Sequence, residues 1–352
     1  MPAERRCFAI SRTGSRPWVR TLPSTRCSPR IVITGGAGFI GRAVVERLGD
    51  RGDEIVALVR DPASAGHLQR SGVTLVQSDL GDPDALRATM TGATAVIHGA
   101  GSYKVGIARS ERPAMWKANV EVTERVLDAA IAAGVPRIVY ISTVNVFGNT
   151  HGAIVDETYR RSLDDGFLSW YDQTKFRAHE AAEARIAAGA PIVIVQPGQV
   201  YGPHDHSVAS QQLALAHAGR LPYIGLPDTG LAWVHVHDLA DGIVAALDRG
   251  GIGEAYVMAG ECLRFDDSIR IAARVGGHRA PRFTLPTGLA RLMAPINDAI
   301  GGFPGMPASV AETIRAGAGV TYWASHDKAS RELGFVPRTL EQGAADTWGR
   351  AS

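Results

Sequence analysis

The chain has 352 residues, 45% of them hydrophobic and 20% charged, an ordinary globular balance that excludes a wholly disordered protein. No apolar run approaches the ~18 residues of a membrane helix, so no membrane partner is expected. The formal charge of +2 is uneven: the first thirty residues hold seven Arg against one Glu, which leaves the rest at −4 and argues against a nucleic-acid-binding face.

Residues 1–29 lack the periodicity of a helix or strand and read as a disordered tail or a start assigned too early. Their Arg, Ser and Pro content superficially matches an organelle transit peptide, but no apolar stretch of about 7–15 residues is present for a signal peptide. Cys7 and Cys27 lie here, leaving only Cys262 beyond, so no disulfide framework exists and a reducing, cytoplasmic setting is expected.

From Arg30 onward short β-branched runs alternate with amphipathic stretches, the pattern of βαβ units. Strands are predicted at 31–34, 55–59, 74–77, 95–98, 137–141 and 192–196. They are almost wholly apolar, as strands covered by helices on both faces must be. The expected fold is therefore α/β, a Rossmann-type doubly wound parallel sheet with a smaller C-terminal substrate lobe. Residues 30–203 form the dinucleotide-binding domain with the catalytic site. Residues 204–352 form mainly the lobe, with some segments returning to the core. There a helix is predicted at 207–218, a strand at 232–235 and a helix at 238–247 with Asp238 as its N-cap. Pro281, Pro286, Pro295, Gly301, Gly302, Pro304 and Pro307 then punctuate an irregular stretch.

The first strand runs through Thr34 into Gly35-Gly36-Ala37-Gly38-Phe39-Ile40-Gly41 and a helix. Gly35 permits a tight turn, Gly38 lets backbone approach a pyrophosphate, and Gly41 lets helix pack on strand. The N–H groups around Phe39 and Ile40 open the helix toward the phosphates. The context of strand, turn and helix is what makes this triplet a dinucleotide site. At the end of the second strand Arg60 stands where an acid would bond the free ribose of NAD. A guanidinium there suits a 2′-phosphate, so NADP is the expected cofactor, with NAD kept open by the adjacent Asp61.

Tyr171 and Lys175 sit at i and i+4 on a helical stretch ending near Ala188. An ammonium beside a phenol stabilises the phenolate and is expected to lower the Tyr171 pKa toward the working range. After the fifth strand, Ser142 and Thr143 lie at the C-terminal edge of the sheet, where open α/β folds bind ligands. A hydroxyl there can stabilise charge on a carbonyl oxygen during hydride transfer.

Together with Asp79-Leu80, His98-Gly99-Ala100, Asn119 and Pro197-Gly198-Gln199-Val200-Tyr201-Gly202-Pro203, these motifs resemble the extended short-chain dehydrogenase/reductase superfamily. The late Trp323-Ala324-Ser325 and Ala329 to Phe335 resemble its dihydroflavonol-reductase-like branch more than its sugar epimerases. The resemblance implies Tyr171 as acid/base, Lys175 on the nicotinamide ribose, and Thr143 as donor to the substrate oxygen. It also implies Ser142, Pro197 and Val200 beside the nicotinamide, Asp79 and Leu80 at the adenine, Gly99 and Ala100 along the cofactor's middle, and Asn119 in a structural or water-organising role. A homodimer is its habitual assembly. Val144 and Asn145 stand where the family's dehydratases carry Asp and Glu, so dehydration by that route loses its acid and base. Gln196 replaces a frequent Arg.

The expected activity is NADPH-dependent reduction of a small-molecule ketone or aldehyde, or the reverse alcohol oxidation. An NAD-dependent sugar-nucleotide epimerase and a non-catalytic nucleotide sensor are the alternatives. His235 and His237 on one strand invite a metal, but no third ligand is identifiable and no metal is expected. Tyr103 and Trp170 fit a substrate cleft and a core equally well.

Overall fold

The computed structural model describes residues 28–285, 288 and 308–350. The expected tail up to residue 27 and the Pro- and Gly-punctuated stretch from Pro286 to Pro307 lie outside these residues, apart from Gly288.

Seven parallel strands form the central sheet: β1 (Arg30–Thr34), β2 (Glu54–Val59), β3 (Thr74–Gln77), β4 (Ala95–His98), β5 (Ile138–Ile141), β6 (Ile192–Pro197) and β9 (Ala255–Met258), in the order β3-β2-β1-β4-β5-β6-β9. Between them run α1 (Phe39–Asp50), α2 (Pro83–Met90), α3 (Arg112–Trp116), α4 (Val122–Ala132), α5 (Trp170–Ala187), α6 (Val208–His217) and α7 (Val236–Arg249). Alternate strand residues explain the layering. Ile31 and Ile33 face a core that includes Val44 and Leu48 of α1 and Leu239 and Ile243 of α7, whereas Val32 joins Val126 of α4 and Ala178 of α5 on the other face. Each fully buried Ile or Val contributes roughly 1.5–3 kcal/mol.

The strand order reverses between β1 and β4, which register Ile31 against Ala95 and Thr34 against His98. The carboxyl ends of the strands at such a reversal are where doubly wound sheets bind ligands. The sequence reading ends the sheet at the sixth strand. β9 adds a seventh, pairing Val195 with Tyr256.

A second sheet, β10-β8-β7, combines Cys262–Arg264, Gly230–His235 and Gln199–Tyr201. α8 (Phe265–Val275) and the helix Leu340–Trp348 pack with it around Trp233, Tyr201, Phe265 and Ile269. Asp238 does not cap α7. The helix starts two residues earlier, with His235 as N-cap, and the Asp238 carboxylate instead binds Arg338 at 2.6 Å.

Candidate active site

The turn after β1 is shaped by steric necessity. Gly35 has φ 76°, and a Cβ there would lie 2.6 Å from the Ala100 nitrogen; a Cβ on Gly41 would lie 2.1 Å from the Gly35 oxygen. Backbone from β1 and β4 therefore touches directly at Gly35, Gly99 and Ala100. Gly38 is exposed and is the N-cap of α1, where it offers no side chain to cap the helix, while Phe39 and Ile40 pack partly against the core.

Behind the turn, hydrogen bonds fix the tautomer of His98, which is fully buried. Ala100 N–H donates to Thr34 Oγ1 at 3.3 Å, so the Thr34 hydroxyl proton goes to His98 Nδ1 at 2.7 Å. Thr123 donates to the Asn119 carbonyl at 2.7 Å and therefore accepts from His98 Nε2 at 3.0 Å. The ring is neutral: burial, aided by the Lys175 charge, pushes its pKa down to about 3.

Arg60 is exposed at the end of β2, and its guanidinium has no partner among the described residues. Asp61 is engaged locally, its carboxylate accepting from Ala63 N at 2.9 Å. Asp79 is exposed and accepts from Gly81 N at 2.8 Å. Leu80 takes a left-handed φ of 62° and buries its side chain in the core, so the exposed side chain here is that of Asp79 rather than of Leu80.

The hydroxyl groups converge from two elements. Thr143 follows β5 and caps the short turn Val144–Phe147, its Oγ1 accepting from Asn145 N at 3.2 Å. Tyr171 lies in the first turn of α5, whose N-cap is Ser169. The Thr143 hydroxyl, which donates to Asn145 Oδ1 at 3.0 Å, is near enough to the Tyr171 phenol to counter part of its burial shift, and Tyr103 meets the Tyr171 ring edge-on at 4.8 Å. Tyr103 is 58% exposed, so its ring lies at the surface beside Tyr171. Trp170 instead belongs to the packing: its Nε1 donates to the Arg112 carbonyl at 3.0 Å and its ring lies under the Arg112 guanidinium.

Lys175 does not lower the Tyr171 pKa as expected. Its Nζ is directed at the Ile141 carbonyl, 3.1 Å away, and lies over the Tyr140 ring. Burial dominates at Tyr171 and raises its pKa well above the usual phenol range, against the smaller effect of the nearby Thr143 hydroxyl. Burial also pushes Lys175 down to about 8. Asn119, on the turn Lys117–Glu121, binds both Ser102 backbone groups and the Thr174 hydroxyl, so it ties the loop after β4 to α5. Ser142 is bonded to His179 at 2.9 Å. Pro197 ends β6, paired with Met258 of β9, and Val200 is half-buried on β7, paired with Val234 of β8. Gln196 is buried with its Oε1 lacking a partner. His235 and His237 meet ring to ring, and no cluster of metal-ligating side chains occurs among the described residues.

Residues 31–259 match the model of the NAD dependent epimerase/dehydratase family. The chain belongs to that family. It is an NAD(P)-dependent oxidoreductase of the extended short-chain dehydrogenase type. A Synechocystis protein provisionally named dihydroflavonol 4-reductase is 29% identical over 323 residues, covering 89% of this chain and 92% of its own. A Stigmatella aurantiaca 4-hydroxy-2-methyl-3-oxo-4-farnesyl-3,4-dihydroquinoline-1-oxide ketoreductase is 27% identical, covering 90% and 95%. The crystal structure of gox2253 superposes with a TM-score of 0.78 at 31% identity, covering 91% of this chain and 98% of that one. No described helix is long and apolar enough to cross a membrane.

Proposed function

We propose that the chain reduces a small-molecule ketone or aldehyde with NADPH, and oxidises the alcohol in reverse, at a site formed by Thr143, Tyr171 and Lys175. The observation that carries this reading is the convergence of the Thr143 hydroxyl, which follows β5, with the Tyr171 phenol in the first turn of α5 at the carboxyl edge of the sheet. A phenol whose pKa is raised by burial keeps its proton at neutral pH and is a donor to an oxygen that is gaining charge. Thr143 holds the same oxygen through its hydroxyl. Removing such a donor costs about 10²–10³-fold in turnover, so Thr143→Val should fall in that range in kcat with unchanged cofactor affinity.

The residues present fit a dinucleotide. The exposed Gly38 and the uncapped start of α1 leave backbone N–H groups for a pyrophosphate, where a side chain on Gly38 would intrude. Gly35, Phe39, Ile40, Gly41, Gly99 and Ala100 would surround it, with Asp79 and the Leu80 backbone toward the adenine. Ser142, Lys175, Pro197 and Val200 would hold the nicotinamide end. When bound, the nicotinamide supplies or accepts the hydride.

The unpartnered Arg60 supports NADP over NAD, and over an epimerase that cycles bound NAD. A bidentate guanidinium–phosphate contact of about 1.5–3 kcal/mol corresponds to about 10–100-fold in affinity. Calorimetry should show NADPH binding more tightly than NADH by that margin, and Arg60→Asp should reverse the order. Tighter binding of NADH by the unaltered chain would refute the assignment.

A further inference from the structure

The C-terminal lobe reaches the helix that carries Tyr171 through a buried carboxylate. Glu312, on the helix Val310–Gly317, is 1% exposed, and its Oε1 accepts from Trp170 N at 2.7 Å. Trp170 is the first residue of α5 and precedes Tyr171, so this bond satisfies an N–H that the helix itself cannot. From the same lobe helix Arg315 Nε donates to the Leu168 carbonyl at 3.2 Å. Ser309, its N-cap, donates from its backbone N to the Gly106 carbonyl at 3.0 Å. Gly106 lies between Val105 and Ile107, which pack on the Tyr171 ring. One helix of the lobe therefore holds two neighbours of Tyr171, the start of α5 and the loop after β4.

Arg112, the first residue of α3, meets this junction from the other side. Trp170 Nε1 donates to its carbonyl at 3.0 Å, and its guanidinium lies over the indole ring, 5.1 Å from the centroid. Arg112 Nη2 stops 3.7 Å from Glu312 Oε2, too far for a hydrogen bond. Glu312 Oε2 and Arg112 Nε are both buried and have no hydrogen-bond partner among the described residues. A guanidinium–carboxylate bond measures about 2.7–2.9 Å, so the pair stands roughly 1 Å short of closing. A buried acceptor and a buried donor left unpaired both favour that closure.

We propose that Glu312 is a positioning residue for Tyr171: its pairing with Arg112 closes in the reacting complex, clamps the lobe and α3 onto the first turn of α5, and holds the phenol in line with the substrate oxygen. The proposal rests on the reduction reading above. The carboxylate acts through the Trp170 N–H and the backbone that follows it, and the transferred proton stays with Tyr171. Proton transfer is steeply sensitive to small displacements of the donor. A helix start tied to the lobe thus lets a well-seated substrate set the alignment of the phenol. A substrate that seats poorly in the lobe leaves the pair open and is reduced slowly even when bound.

The test is a double-mutant cycle in the full chain. Glu312→Gln keeps the shape and the acceptor for Trp170 N but removes the charge, and Arg112→Met removes the guanidinium but keeps an apolar stem over Trp170. A closed pair of this kind is worth about 10–100-fold, so each single variant should lose about tenfold in kcat, with substrate KM and NADPH Kd nearly unchanged. The double variant should be no slower than either single, because the second change removes a partner already lost. Arg112→Lys, which keeps the charge, should retain most of kcat. In the ligand-free proteins, where the pair is open, denaturant midpoints should show little coupling between the two positions. Where Glu312→Gln folds poorly, Arg112→Met against Arg112→Lys carries the same comparison. Wild-type kcat in both single variants, losses that multiply in the double variant, or coupling as large in the midpoints as in kcat would overturn the clamp. Turnover surviving in Tyr171→Phe would instead sink the reduction reading itself.

Discussion

Tyr171→Phe is expected to lower carbonyl reduction by about 10²–10⁴-fold, the range for a positioned proton donor, with NADPH affinity nearly intact. The ring survives the change, and with it the edge contact to Tyr103 and the place of residue 171 in the first turn of α5. Only the hydroxyl beside Thr143 is lost. Lys175, one turn along, keeps its bond to the Ile141 carbonyl, so the cofactor end of the site is undisturbed. A deficit confined to kcat at unchanged Kd marks a group that acts in the transition state. The assay is NADPH absorbance over a panel of ketones and aldehydes, with sugar nucleotides followed separately by product analysis. Full activity in the variant would remove Tyr171 from the chemistry, and an epimerised sugar without net NADPH consumption would point to the other activity class.

The sheet was legible because its strands are short, apolar and separated by helical stretches. The six strands predicted up to residue 196 lie within a residue or so of β1 to β6, and the one predicted at 232–235 falls within β8. β9 was not legible: four residues, Ala255–Met258, gain their place only by pairing with β6, about sixty residues earlier, and nothing local marks that partner. Asp238 shows a related failure. Its position before an apolar run suggested a cap, but a carboxylate that can meet Arg338 is worth more inside the first turn than at its edge. The Tyr-x-x-x-Lys spacing told which helix face matters, yet not where the ammonium would point. The carbonyl of Ile141 on β5 and the Tyr140 ring attract it away from the phenol, and these come from a strand some thirty residues distant.

The same packing makes Asp172 the residue whose loss should cost most in stability. Its side chain is fully buried beside Tyr171, accepting from Arg161 Nη1 at 2.7 Å and from Leu168 N at 2.8 Å. Arg161 is itself buried, donates to the Gly166 carbonyl at 2.7 Å, and packs against both the Phe167 and Phe176 rings. Burial raises the Asp172 pKa and the Arg161 charge opposes the shift, so each charge is tolerable only with the other. Asp172→Ala strands a guanidinium in the interior, and breaking a buried pair in this way costs about 3–5 kcal/mol. Arg161→Met combined with Asp172→Leu removes both charges and should recover most of that loss, because an apolar pair of similar volume escapes the desolvation cost. Denaturant midpoints of the three variants against the unaltered chain measure the difference. A single variant within about 1 kcal/mol of wild type, the worth of an exposed pair, would show that water reaches Arg161 and that the segment between Arg161 and Leu168 is not anchored to α5 through this charge.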